Sequence, residues 1–318
     1  MEQGQKVGLA LGSGSARGWA HIGVVQALQE SGIRVDYVAG TSIGALVGAV
    51  YASGRIDALN KVVLGLDRKQ ILRLFDIVFP KSGLIDGRKV ADFIRSYVQK
   101  GGIEQLPVPF SSVSTDLVTG SEVVHQEGDV IVAVRASISF PGIFTPVIRD
   151  GMVLVDGGLV NPVPVSVVRD MGADFVIAVD LNHDIVGTKN KTIKRASASS
   201  AGRGTGRPSA EKTKKLDVLS RRLGILARLG LAQAWQWDAK DPRPNIFEVL
   251  LTSISIMETQ ITAVRLKVDP PDLLIRPNLG HIRFLEFGRG QEAIAEGYRE
   301  TRRRIRDLGG KGALFGRP

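Results

Sequence analysis

A chain of 318 residues, 43% hydrophobic and 23% charged, is long enough for a sizeable core and reads as globular. It has no cysteine, which excludes disulfides and thiolate metal sites, and its four histidines, His21, His125, His183 and His281, stand too far apart for metal-ligand spacing. The net charge of +10 invites a nucleic-acid reading, but residues 187–222 hold eleven Lys or Arg against two acids, so the excess belongs to one segment and no specific nucleic-acid partner is expected.

In chain order, "KVGLALG" (6–12) is a short apolar run of β character that ends in glycine. A helix is expected over "GWAHIGVVQALQESG" (18–32), with a stop at Gly32. A second strand, "VDYVAG" (35–40), leads into an apolar helix, "SIGALVGAVYASG" (42–54). Two βα units with short connections imply parallel strands with crossover helices. Residues 55–105 read as mostly helical, with a break at "PKSGLIDG" (80–87). "SSVSTDLVTGSEVVHQEGD" (111–129) reads as two strands around Thr119-Gly120, followed by a short helix, "VIVAVRAS" (130–137). "MVLVDGG" (152–158) is a strand ending in a tight turn, and "DFVIAVDLN" (174–182) a buried parallel strand.

Residues 184–215 change character to Lys, Ser, Gly and Thr with almost no large apolar residues, the composition of a disordered segment. "LDVLSRRLGILARLGLAQAWQW" (216–237) sets Leu216, Leu219, Leu223, Leu226 and Trp237 on one helical side and Arg221 and Arg228 on the other. A basic amphipathic helix with tryptophan suits a membrane interface, and residues 187–237 are expected to favour anionic lipid. A long helix is expected from about 245, a strand in "PDLLIRPNL" (271–279) and a terminal helix over 288–308. The expected organisation is a catalytic core over 1–183, a basic insertion with an amphipathic helix over 184–244, and a C-terminal part over 245–318 completing the same domain. No secretory signal and no uncharged apolar run of membrane-spanning length is visible, so a cytoplasmic address, compatible with membrane association, is expected.

The chemistry gathers at glycine-rich turns. "GSGSARG", Gly12 to Gly18, follows the first strand. A dinucleotide fingerprint fails there, because Arg17 stands where its third glycine belongs and the second strand ends without an acid; a nucleotide cofactor is therefore not expected. "GTSIG", Gly40 to Gly44, lies between a strand and a helix. In that setting G-x-S-x-G lifts the Ser42 hydroxyl clear of the sheet, while small residues at Gly40 and Gly44 let the turn close. The amide of Ile43 at the helix start and amides of the Gly12–Gly18 loop would then face a tetrahedral oxyanion.

A serine nucleophile needs a base. Ser42, Asp156 and His183 follow the chain order of an α/β-hydrolase triad, yet His183 sits where the core gives way to the basic segment. The other arrangement is a Ser–Asp pair. Asp156 ends a strand, Gly157 and Gly158 let the backbone turn after it, and the flanking valines and leucines argue for an interior carboxylate.

Four ordered stretches resemble the patatin-like phospholipase family, in particular its bacterial members related to neuropathy target esterase. They are "GSGSARG" (12–18) with "AHIGVVQAL" after it, "GTSIGA" (40–45), "AVRASISFPGIFTPV" (133–147) and "DGGLVNPVP" (156–164). Ser13 and Ser15 stand where the family loop usually has glycine. The resemblance implies a three-layer α/β/α fold with a mostly parallel central sheet. It implies Ser42 as nucleophile, Asp156 as its base, and Gly14, Ser15 and nearby amides as the oxyanion hole. It also implies hydrolysis of phospholipid or other fatty-acyl esters without a metal or cofactor, with Arg17 bracing the loop or meeting a phosphate.

Overall fold

A computed structural model describes residues 5–67, 70–71, 85–98, 101–185 and 246–309. The expectations for the basic stretch and for the amphipathic helix over 216–237 lie outside these residues.

The frame is an eight-stranded sheet with helices on both faces. Its first half holds β1 (Val7–Leu11), a 3-10 turn (Ser15–Trp19), α1 (Ala20–Glu30), β2 (Tyr37–Thr41), α2 (Ile43–Ala52) and α3 (Ile56–Gly65). Then come α4 (Arg88–Arg95), β3 (Phe110–Asp116), β4 (Glu122–His125), α5 (Val130–Ser137), β5 (Val147–Arg149) and β6 (Met152–Asp156). The chain continues through α6 (Val165–Asp170), β7 (Phe175–Val179), α7 (Ile246–Val268), β8 (Leu273–Ile275) and α8 (Gly290–Asp307). Hydrogen-bonded neighbours run β5-β6-β3-β2-β1-β7-β8, with β4 joining at β3.

The sheet is mixed. β8, β7, β1, β2 and β3 pair in parallel, whereas β4, β5 and β6 pair antiparallel. The antiparallel flank comes from a hairpin that the reading in β/α units leaves out. Asp150 and Gly151 both take positive φ, 50° and 77°, and turn β5 back onto β6.

Alternation sorts the strands between two cores. Val7, Leu9 and Leu11 of β1 face the larger cluster, with α1, α2 and α8. Ala10 and Ala39 face a smaller valine-rich cluster under α6. The two largest helices of the first face cross through glycines: a Cβ on Gly23 would lie 1.9 Å from the Ile294 carbonyl, and one on Gly297 2.1 Å from that of Ala20.

One junction positions the site. β3 pairs with β2 through Thr41↔Val113, and from Ser114 onward with β6 through Ser114↔Asp156. β4 covers Ser112 to Thr115 and so holds the opposite edge of β3. β2 and β6 therefore meet end to end, C-terminus facing C-terminus, along one edge of β3.

α7 is inverted in its polarity. Its buried positions include Ser255, Glu258 and Thr262 beside Ile254, whereas Ile246, Val249, Leu250, Ile256, Met257, Val264 and Val268 are exposed. Residues Glu248–Val268 are apolar and long enough to cross a membrane by length and composition. The sequence expectation contained no such span, because it counted uncharged runs and this helix carries acids and bases. In the fold its inner face packs on the 3-10 turn at Gly157–Leu159.

Candidate active site

At the end of β2, Thr41 is fully buried and Ser42 turns the chain into α2 with φ 58° and ψ −125°. A non-glycine residue at positive φ costs roughly 1–3 kcal/mol and persists only where its surroundings hold it. The holding groups are plain. The Ser42 amide donates to Ser137 Oγ (2.9 Å), and Ser137 Oγ donates to the Val113 carbonyl. Thr41 Oγ1 donates to the Asn161 carbonyl (2.8 Å), and the amides of Ala45 and Leu46 donate to the Ser42 carbonyl. The turn is too tight for side chains on either flank. A Cβ on Gly40 would lie 2.3 Å from the Gly44 carbonyl oxygen, and one on Gly44 2.1 Å from that of Leu11. Between Val38 and Val50 every residue except Ser42 is buried, so the fold delivers one hydroxyl outward from an apolar stretch.

That hydroxyl meets a carboxylate. Ser42 Oγ donates to Asp156 Oδ2 at 2.6 Å. Asp156 Oδ1 accepts from the Gly158 amide (2.8 Å), which fixes the carboxyl plane. Its backbone is pinned as well: the Asp156 amide donates to the Ser139 carbonyl, and Thr115 Oγ1 donates to the Asp156 carbonyl. Gly157 admits no side chain, since a Cβ there would lie 2.3 Å from the Val113 carbonyl oxygen. Asp156 is 1% exposed. Burial pushes its carboxyl up to about 7 against the opposing hydrogen bonds from Ser42 and Gly158. No imidazole stands between the two side chains. His183 makes no hydrogen bond to either among the described residues, and its Nδ1 has no partner there.

The first glycine loop lies against this elbow. A Cβ on Gly18 would sit 2.2 Å from Ile43 Cγ1. The Gly12 amide donates to the Val179 carbonyl, Ser13 to Pro162 and Ala16 to Phe284. Ser15, at φ 50°, donates its hydroxyl to the Phe284 carbonyl (2.6 Å). Among the described residues, the amides of Gly14, Ser15 and Ile43 have no acceptor. Gly14 packs on Leu181, and Gly12 lies with its Cβ position 2.5 Å from the Val179 carbonyl oxygen. Arg17 is buried beneath the loop, where it donates to Asn182 Oδ1 (3.1 Å) and the Ile282 carbonyl (3.4 Å). It braces the loop from inside and does not face outward. His21 Nε2 donates to the Gly12 carbonyl (2.8 Å), and burial pushes its imidazole down to about 4, which keeps it neutral.

Several contributing residues escape sequence reasoning. Ser137, Thr41 and Asn161 hold the elbow through ordinary polar contacts with no spacing rule. Glu258 reaches the site from α7, about a hundred residues after Asp156. Its one signal is that it is the sole charge between Val249 and Ala263. Among the described residues no cluster of three His, Asp or Glu side chains could hold a metal.

Comparison with known proteins gives this geometry a context. The sequence model described as "Patatin-like phospholipase" matches residues 9–169. An uncharacterized NTE family protein of Mycobacterium tuberculosis is 36% identical over 92% of this chain and 89% of its own length. The lysophospholipase NTE1 of Pyricularia oryzae is 30% identical over 98% of this chain but only 19% of its own length. The neuropathy target esterase sws of Drosophila melanogaster is 38% identical over 56% of this chain and 13% of its own. Among solved structures, VipD from Legionella pneumophila is similar over 96% of this chain and 67% of that one, with a TM-score of 0.44 and 16% identity.

Proposed function

The chain belongs to the patatin-like phospholipase family, and from that premise we propose that it is a serine lipid acyl hydrolase acting through Ser42 and Asp156 on fatty-acyl esters of phospholipids or lysophospholipids. One observation carries the reading: the 2.6 Å hydrogen bond from Ser42 Oγ to a carboxylate whose burial brings it into the neutral range. A base works best when its pKa lies near the working pH, and an ordinary carboxyl near 4 does not meet that condition.

Ser42 Oγ bonds to the ester carbonyl carbon while its proton passes to Asp156 Oδ2. The carbonyl oxygen becomes negative and takes hydrogen bonds from the amides of Gly14, Ser15 and Ile43; one such donor is worth roughly 10²–10³ in rate. Collapse of the tetrahedral species breaks the bond to the leaving alcohol, and Asp156 returns the proton to that oxygen. Water then attacks the acyl-serine, with Asp156 again taking and returning the proton. Gly12, Arg17, Gly18, Gly40, Gly44, Gly157 and Gly158 support the geometry without touching substrate.

A lipid surface is the matching source of substrate. In support, the outward stripe of α7 is apolar while its inward face turns to the site, and residues 187–222 carry the chain's basic excess. Deleting 187–237 should weaken sedimentation with anionic vesicles; undiminished binding removes that segment from the reading.

The central test compares Ser42→Ala, Asp156→Asn and His183→Ala on a short-chain ester and a lysophospholipid. Ser42→Ala and Asp156→Asn should abolish turnover and labelling by a fluorophosphonate, and His183→Ala should retain both. For the unmodified chain, kcat/KM should rise with pH through about 7 as Asp156 loses its proton. Loss of activity in His183→Ala equal to that in Ser42→Ala would restore the imidazole mechanism. A folded chain that never labels at Ser42 is a lipid-binding scaffold of the same fold.

A further inference from the structure

Glu258 is a buried carboxyl, 3% exposed, that the mechanism above does not use. α7 carries it to the back of the dyad, across Gly158. The point a Cβ would occupy on Gly158 lies 2.1 Å from Glu258 Oε1 and 3.1 Å from Asp156 Oδ1. The two carboxyl oxygens are therefore no farther apart than the sum of those distances. Glycine at 158 is what makes the approach possible: any side chain there would occupy the position of the Glu258 oxygen. Asp156 thus has Ser42 on one oxygen and, beside the other, the Gly158 amide and a second acid.

Glu258 is held there deliberately by its neighbours. Asn182 Nδ2 donates to Glu258 Oε2 (3.2 Å) and to Ser13 Oγ (3.0 Å), which sets Ser13 beside the same carboxyl. Asn182 Oδ1 accepts from Arg17. The network joins the glycine loop, the end of β7 and α7 around the two acids. Its charged members are few. Arg17 faces the pair from the 3-10 turn. Asp180 is paired with Arg276 (3.1 Å), and Asp184 accepts from the Gly280 amide (2.8 Å); both bear on Arg17. Two buried acids beside one buried guanidinium do not carry two negative charges readily, and such groups release their protons in two separate steps.

We propose that Glu258 is a positioning residue of the dyad, coupled to Asp156 across Gly158, so that the base of the reaction belongs to a two-carboxyl pair. This rests on the Ser42–Asp156 reading and deepens it. Between its two ionisations the pair holds one proton. The first ionisation leaves one negative charge on the pair, and that charge supplies the base. Burial and the charge on Asp156 push Glu258 up to about 8, with Arg17 and Ser13 opposing. The site therefore works with one negative charge, and a second appears only above that range.

The test measures fluorophosphonate labelling of Ser42 against pH for the unmodified chain and for Glu258→Gln, which keeps the volume and can still accept from Asn182. The unmodified chain should show two ionisations, the upper near 8, and Glu258→Gln should show the lower one alone. A purely structural role would change the amplitude and leave both midpoints in place, and that result overturns the proposal. Titration of carbon-13-labelled carboxyl groups in the unmodified chain reads the same coupling without activity. The Asp156 signal should move at two pH values, and a single inflection also overturns the proposal. If Ser42 never labels but the Asp156 signal moves twice, the esterase reading fails and the coupled pair stands.

Discussion

At the scale of single residues, Ser42 combines the poorest backbone conformation of the elbow with the most exposed position in its stretch. Removing its Cβ should therefore relieve strain even as it removes the nucleophile. Ser42→Gly is expected to unfold at a temperature a few degrees above Ser42→Ala, in which the Cβ remains at positive φ. A Ser42→Gly midpoint at or below that of Ser42→Ala in thermal unfolding would show the turn to be unstrained. A second expectation concerns Ser137. Its loss in Ser137→Ala leaves the Ser42 amide without its acceptor, which costs about 1–3 kcal/mol for a buried donor; urea unfolding reads the loss, and kcat should fall with it. Ser42 and Asp156 were legible because each stands at a strand end among glycines whose spacing has a geometric cause. Arg17 was legible as important but ambiguous in role, since a guanidinium in a glycine loop serves a phosphate or a brace equally well until its partners, Asn182 and the Ile282 carbonyl, are known. Glu258 was not legible: nothing local in "SIMETQ" tells which glycine, far earlier in the chain, its carboxyl will face.

At the scale of elements, α7 sets polar residues inward and apolar residues outward, the reverse of an ordinary surface helix. Lysine at the outward positions Ile256 and Val264 should cost the fold little, within about 0.5 kcal/mol, because neither side chain is buried. The same pair of substitutions should weaken co-sedimentation with lipid vesicles; unchanged sedimentation would detach this helix from the lipid reading. The central parallel strands could be read from hydrophobic pattern because their burial is continuous, as in β1 and β7. The hairpin β5–β6 was harder. β5 is three residues long with its middle residue, Ile148, exposed, so it has no apolar pattern to betray it. Its evidence lay in the turn, Asp150-Gly151, a dipeptide suited to two consecutive positive φ values.

At the scale of the whole molecule, buried titratable groups make stability depend on pH with a definite sign. Asp156 and Glu258 are raised from 3.8 and 4.5 to about 7 and about 8. The folded chain therefore holds protons that the unfolded chain has lost, and stability from these groups is full below about 4 and declines as pH rises, by up to about 1.4 kcal/mol per unit for each. His21 and His125 act in the opposite sense: both are lowered to about 4 from 6.5, so they cost stability as pH falls below 6.5. Above about pH 7.5 the histidines are largely neutral in both states, and between there and about 8.5 the two acids decide. Unfolding free energy should fall across that window in the unmodified chain and fall less steeply in Glu258→Gln; parallel curves from urea titrations would place the Glu258 proton in solvent exchange with no preference for the folded state. The fold class followed from sequence because alternating units leave few architectures open. The mixed flank did not, since pairing direction on β3 is decided by which strands arrive at its two edges.

The abutment of β2 and β6 on one edge of β3 has a consequence for the living chain. Ser42 and Asp156 arrive on separate strands, so the hydroxyl emerges from the ribosome long before the carboxylate that it meets in the fold. A nascent or truncated polypeptide ending ahead of residue 152 lacks the carboxylate of the proposed pair. On the proposed reading, activity waits on the pairing of β6 with β3, the step that brings Asp156 to Ser42.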